Sequence, residues 1–296
     1  MSIGRVTQTM MSQQALTGLQ SGLKRVSDVQ EQLSTGRIIN RPSDDPLGAA
    51  AAMRLRSSLA DQQQYARNAG DGQGWLEQID GTLSSVTDQV RRSRELAIQG
   101  ANGGAMGPQA REALAVEVDQ IRESLVGQGN ATYLGRPVFG GITNQATAYA
   151  PDGTYTGTPG QVVRTVADGV QVRVDVDGQD AFGPNGDSVF DHLAALSTAL
   201  RAADQTGIST AIDALGADGD RINAVHADVG TRAGRVERAK TAAEDAHLSL
   251  TSSLSEIENT DLPKATVDLQ LQQVAYQAAL AATARVIQPS LQEFLR

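Results

Sequence analysis

The chain has 296 residues, a formal net charge of -9, no cysteine and three lysines. Without cysteine it has no disulfides, thiolate ligands or thiolate nucleophiles, and an acidic chain with so few lysines argues against binding to nucleic acid or to an anionic membrane. Aromatic residues make up 3% and apolar residues 40% of the chain, which favours close-packed helices over a thick globular interior.

The first predicted element is a long helix from about Arg5 to Thr35. Its apolar residues recur at spacings of three and four and form one stripe; they are Leu16, Leu19, Leu23, Val26 and Leu33. Gly36 follows the stripe, and glycine is a typical residue at the end of a helix. The amino-terminal stretch lacks the apolar core and the cleavage site of a secretory signal, so we expect none.

The next stretch, residues 33–50, reads LSTGRIINRPSDDPLGAA. The adjacent carboxylates of Asp44 and Asp45 could form an acid/base or metal site, but adjacent helical residues point about 100° apart and no third ligand follows at a useful spacing. Asp45 as an N-cap before Pro46, with the carboxylates facing the positive end of the helix dipole, explains the pattern better. We therefore expect a hinge and helix cap formed by Gly36, Asn40, Pro42, Asp44, Asp45 and Pro46.

An apolar stripe from Leu55 to Ala97 predicts a second helix, which ends at Gly100. At about 1.5 Å per residue it would be on the order of 80 Å long. The run from Gly70 to Gly74 superficially resembles a phosphate loop, but it follows a helix and no Lys-Ser/Thr pair comes after it. We interpret the run as a flexible or closely packed part of the helix. Pro108 begins a third helix that folds back against the second.

Between residues 131 and 190 the pattern becomes strand-like, most clearly where valines alternate from Val170 to Val176. Pairs such as Asp152-Gly153, Asp168-Gly169 and Asp177-Gly178 predict the turns between strands.

Part of this region resembles a calcium loop, with carboxylates at Asp175, Asp177 and Asp180. The glycine, however, falls at the fourth position instead of the sixth, and the twelfth residue is Gly186 instead of glutamate. A hairpin turn at Asp177-Gly178 is the better interpretation.

Helical spacing returns at Val189 and continues in a heptad pattern from Ile222 to Ile257, which is typical of a coiled-coil seam. After a break at Asn259 to Pro263, the last helix carries two apolar stripes. From these stripes we expect the following residues to pack against other subunits, together with the five stripe residues of the first helix: Val267, Leu271, Val274, Tyr276, Leu280, Ile287, Leu291 and Phe294. A helix with two apolar faces needs more partners than one amino-terminal helix provides.

The predicted fold is mainly α: an elongated bundle of long antiparallel helices from both chain ends, with a small central β insertion. We expect terminal helices at 1–40 plus 260–296, a helical rod domain at 41–130 plus 191–259, and a β-rich outer domain at 131–190. No nucleophile motif is present, and His192, His226 and His247 have no metal-ligand spacing. We therefore expect no catalytic residue, no cofactor and no metal.

Several segments of the chain resemble the flagellin superfamily. They are LSTGRIINRPSDDPLGAAAAMRLRSSL, ARNAGDG, VRRSRELAIQGAN, NATYLGRPVFGG and IENTDLPKATVDLQLQQVAYQAAL. Together they cover both helical ends, in the order and spacing of that superfamily. Within it, DGQDAF, VFDHLAALSTAL and the ending ARVIQPSLQEFLR are more similar to the branch that joins hook to filament than to flagellin itself.

The resemblance implies a structural adaptor of the bacterial flagellum, exported through the flagellar export channel and assembled as a ring through its terminal helices. It implies several partners: further copies of the chain, flagellin, hook-associated protein 1, and the flagellar export chaperone and export apparatus. The paired terminal helices would correspond to the inner-tube domain of axial flagellar proteins. A short flagellin that forms the filament itself is the alternative.

Overall fold

The computed structural model describes the backbone of residues 3–102 and 106–294, and the side chains of residues 10–102 and 106–284. The predicted fold class is confirmed, since long helices at both ends enclose a short β-containing stretch. The helices are α1 (Ile3–Thr35), α2 (Pro46–Ala101), α3 (Pro108–Gly129), α4 (Gly178–Phe182), α5 (Val189–Ala202), α6 (Gln205–Glu258) and α7 (Leu262–Phe294). The strands are β1 (Thr132–Tyr133), β2 (Arg136–Pro137), β3 (Val163–Ala167) and β4 (Val170–Arg173), paired as two antiparallel hairpins.

The chain divides into two compact units. The first combines the residues up to Ala60 with those from His247 onward, and the second runs from Asp61 to Ala246. In the first unit α1 packs antiparallel against α7. Arg25 donates to Gln272 at 3.2 Å, and three residues earlier on α1 Gly22 lies against the ring of Tyr276, which is four residues later on α7. The small Gly22 permits this close approach.

The core of the second unit combines apolar faces of the long helices with an aromatic cluster. The ring centroid of Tyr149 lies 5.0 Å from that of Phe190 and 5.5 Å from that of Phe182. At the end of α3, the Asn130 amide oxygen accepts hydrogen bonds from the backbone N–H groups of Ala148 and Tyr149, both at 2.8 Å. This amide therefore fixes the irregular segment that brings Tyr149 into the core.

The predicted hairpin at Asp168-Gly169 joins β3 to β4, and Gly169 has the positive φ of 66° that this turn requires. The strand predicted through Val176 ends earlier, at Arg173. The Val174 N–H still donates to the Val162 carbonyl at 2.8 Å, but the chain then leaves the ladder.

The hairpin turn predicted at Asp177-Gly178 is wrong. Asp177 caps α4, where its carboxylate accepts from the Gln179 N–H at 3.0 Å. Gly178 is needed for packing, because a Cβ at this position would lie 2.9 Å from the Phe139 carbonyl oxygen.

Candidate assembly surface

One face of α7 is apolar and exposed within the chain. Val267, Leu271 and Val274 have 64%, 62% and 64% of their surface exposed, and Leu280 has 43%. The first three lie at spacings of four and three, so they share one side of the helix. The result is a continuous apolar strip that stays mostly exposed within the described part of the chain.

The opposite side of α7 faces α1. Tyr276 is half-buried there, and its ring would meet a Cβ at Gly22 at 3.2 Å. On α1 the predicted stripe divides: Leu16 and Leu23 are exposed, Val26 is buried, and Leu19 and Leu33 are half-buried. The predicted packing residues thus fall into an intramolecular set and an exposed set. The side chains of Ile287, Leu291 and Phe294 lie outside the described residues.

The connections between these terminal helices and the helices that continue from them run side by side. Gly36 has a φ of 70° and its N–H donates to the Gln32 carbonyl at 2.9 Å, which ends α1. The Thr260 N–H donates to the Gly36 carbonyl at 2.9 Å, and the Ile38 N–H donates to the Glu258 carbonyl at 2.7 Å. The two connections therefore form one antiparallel bridge, which we call the joint (residues 36–46 and 258–261).

The two adjacent carboxylates of the joint have different tasks. Asp45 accepts from the Leu47 N–H at 3.1 Å, at the position where Pro46 begins α2. Asp44 turns back and accepts from the N–H groups of Asn40 and Arg41 at 3.1 and 2.8 Å. The Asn40 amide in turn donates to the Arg37 carbonyl at 3.1 Å. Both carboxylates thus satisfy backbone donors, and the Asp44 carboxylate stabilises the loop and not the start of the helix. Pro42 lies in this loop, between Arg41 and the two aspartates.

Sequence reasoning missed the charged centre of the joint, Glu258. Its side chain is 6% exposed and forms a 2.8 Å ion pair with Arg56 of α2, and Arg37 approaches it to 3.9 Å. Spacing along the chain gave no signal, since the Arg56 and Glu258 positions are 202 residues apart. This arrangement binds α2, α6 and the first connection together within the first unit.

Several other titratable groups form structural pairs, such as Arg164 with Asp71 at 2.6 Å and Arg92 with Glu117 at 2.7 Å. Within the described residues, no group of three or more aspartate, glutamate or histidine side chains has a geometry that could hold a metal ion. A cleft of about 820 Å³ lies beside α3 and has Arg122 in its wall. The Arg122 side chain donates to the backbone carbonyls of Phe190 and Asp152, so its hydrogen bonds are structural. None of the helices in the described part combines the length and the apolar character needed to cross a bilayer.

The histidines have carboxylate partners that their sequence spacing did not indicate. The His192 ring contacts both Asp218 and Asp187, and the His226 ring contacts Asp80. Burial raises the pKa of the Asp218 carboxyl, although the hydrogen bond and charge of His192 and the charge of Arg221 oppose the shift. Since a raised carboxyl pKa favours the protonated form in the fold, this group's contribution to stability is present below the ordinary aspartate pKa and is lost as pH rises through the raised value.

Comparison with known proteins shows to which family the chain belongs. The family model for the bacterial flagellin N-terminal helical region matches residues 6–143, and the model for the bacterial flagellin C-terminal helical region matches residues 212–295. The chain therefore belongs to the flagellin superfamily, and it is a structural flagellar protein and not an enzyme.

Individual relatives divide between two kinds of flagellar protein. Flagellar hook-associated protein 3 of Escherichia coli (strain K12) is 26% identical over 313 residues, which cover 94% of this chain and 95% of that protein. The flagellar filament 31.3 kDa core protein of Treponema maltophilum is 29% identical over 259 residues, 86% of each chain. The crystal structure of Bacillus cereus FlgL is 26% identical with a TM-score of 0.61, and the match covers 68% of this chain and 99% of that one.

Proposed function

We propose that this chain is the adaptor that joins the bacterial flagellar hook to the filament. The observation that carries the proposal is its similarity to flagellar hook-associated protein 3 along almost the whole length of both chains. The chain would leave the cell through the flagellar export channel, served by an export chaperone. It would then assemble as a ring at the distal end of the hook, outside the cell.

The exposed strip on α7 supplies the physical basis for assembly. Burying a leucine or valine side chain contributes about 1.5–3 kcal/mol, so the three strip side chains of each subunit favour association with neighbouring subunits, and the partly exposed Leu280 on the second apolar stripe of α7 can add to them. Coiled-coil packing of α1 and α7 from adjacent copies would bury the strip. In this proposal the ring contacts hook-associated protein 1 on one side and flagellin on the other.

The domain organisation belongs to the same proposal. Residues 1–40 and 260–296 would form the inner tube, and residues 41–130 with 191–259 the surrounding helical domain. Residues 131–190 would form the outward domain. The joint then lies where the inner tube meets the helical domain, which accounts for its dense hydrogen bonding.

A short flagellin is the second candidate, favoured by the similarity to the Treponema maltophilum filament protein over 86% of each chain. Deletion of the gene distinguishes the two. We expect hooks without filaments and flagellin released into the medium, and complementation should restore the filaments. A cell that makes no other flagellin would instead identify the chain as the filament subunit. In a second measurement, the purified chain should fail to extend filament seeds alone, whereas a flagellin should extend them.

A charge introduced on each apolar stripe of α7 tests the assembly surfaces directly. Leu271→Asp on the strip and Leu280→Asp on the second apolar stripe of α7 should each leave the protein secreted but abolish filament attachment, because an aspartate buried between subunits is strongly unfavourable. Leu248→Asp is the matched control, since Leu248 on α6 is 72% exposed and lies off the strip. Normal filaments in both variants would refute assembly through α7, while the deletion phenotype would still decide the adaptor role.

A further inference from the structure

His192 of α5 lies between two carboxylates in the second unit. Its Nδ1 is 2.7 Å from Asp218 Oδ2 on α6, and its Nε2 is 3.0 Å from Asp187 Oδ1 in the segment before α5. An ionised carboxylate only accepts hydrogen bonds, and a neutral imidazole has one N–H. With both carboxylates ionised, two such contacts need a ring that carries a proton on each nitrogen.

The surrounding charges favour the protonated ring. Asp218 is 1% exposed and also binds Arg221 at 2.6 Å. Two aspartates and one arginine leave a net charge of -1, which an imidazolium neutralises. The nearby Asp191 carboxylate accepts hydrogen bonds from the N–H and the hydroxyl of Ser188. Arg122 of α3, which packs on α5, donates to the Phe190 carbonyl. These hydrogen bonds of the two charged groups are therefore made with other partners than the His192 ring.

We propose that His192 is a proton-dependent clasp that ties the segment before α5 to α6. When the ring loses a proton, Nδ1–H retains the contact with the buried Asp218 carboxylate. Nε2 then has a lone pair directed at Asp187, which is 76% exposed and separates into water. The segment before α5 thereby loses its tie to α6 at Asp187, although the hydrogen bonds of Asn185 with Tyr155 and of Gly186 and Ser188 with Asp191 remain.

The sign of the effect follows from the protonation states. A histidine in an unfolded chain loses its proton near pH 6.5. The stabilisation by the clasp is therefore present while the ring carries both protons, and it is lost as pH rises and the ring becomes neutral. A more weakly held segment before α5 at higher pH is the expected consequence.

Nitrogen NMR of the histidine rings tests the proposal in the full chain. At pH 6 we expect both ring nitrogens of His192 to carry protons, and at pH 9 only Nδ1. Amide hydrogen exchange of residues 183–188, corrected for its intrinsic pH dependence, should rise about threefold to tenfold over the same range. One protonated nitrogen at every pH, or unchanged exchange, would overturn the proposal.

Two variants separate protonation from general structure. Asp187→Asn supplies an amide N–H that can donate to the lone pair of a neutral ring, so the pH dependence of exchange should disappear while the fold remains. His226→Gln is the matched control, because His226 contacts one carboxylate, Asp80 at 2.8 Å, and a neutral ring can satisfy that contact. A pH dependence that persists in Asp187→Asn would refute the clasp.

Discussion

In the ion group formed by Glu258, Arg56 and Arg37, the loss of stability should depend on which residue is replaced. The glutamate is buried, whereas the Arg56 side chain is about half exposed. Removing Arg56 leaves the Glu258 carboxylate shielded from solvent, with the 3.9 Å contact to Arg37 as its remaining ion pair. Removing the glutamate charge leaves arginines that water can reach, so the two changes should have unequal effects.

We expect Arg56→Met to weaken the joint by about 2–3 kcal/mol and Glu258→Gln by about 1 kcal/mol. The measurement is hydrogen exchange at the amides of Ile38 and Thr260, which bond across the joint. Arg41→Met is the control, because its pair with Glu31 is exposed and should contribute less than about 1 kcal/mol. Equal effects for the first two variants would contradict the explanation based on burial.

At the scale of elements, the glycine run in α2 is a packing device. A Cβ on Gly74 would lie 2.7 Å from Cζ of Tyr133, whose ring packs against Trp75 at 5.6 Å. A Cβ on Gly72 would lie 3.0 Å from Val174. These two glycines let α2 approach the β segment closely.

We therefore expect Gly74→Ala to destabilise the second unit by about 1–3 kcal/mol, since the whole Tyr133 ring must move. Gly81→Ala, on the same helix with no atom near its Cβ position, should stabilise by up to about 1 kcal/mol through helix propensity. Urea denaturation of the two variants gives the comparison. A stabilising Gly74→Ala would show that the helix does not need the close approach.

The elements that sequence predicts well are those with local causes. The period of apolar residues and the cap at Pro46 predicted α2 to within a residue of its observed end at Ala101. Val174 and Val176 alternate like strand residues, but their N–H groups bond to Val162 and Val138. Such long-range pairing leaves no local pattern, and neither do the contacts of Glu258 or His192.

At the scale of the whole molecule, the terminal helices have more apolar surface than they can bury. The pair formed by α1 and α7 covers one side of α7 and leaves the strip exposed. Helices gain most of their stability from packing, so a partly packed pair is the part of the molecule expected to open most readily. Assembly would supply the missing contacts.

Limited trypsin digestion of the purified monomer checks this expectation. We expect early cleavage after Lys24, Arg25 and Lys264, in residues 1–40 and 260–296. These residues are exposed on α1 and α7, which are only partly packed in the monomer. Arg238 is the internal control, since it is exposed on α6 but belongs to the second unit, where the neighbouring Val236 is buried. In isolated hook–filament preparations the terminal sites should become resistant. If both ends of the monomer stay intact while Arg238 is cut, the terminal helices are stable without neighbours and their ordering does not depend on assembly.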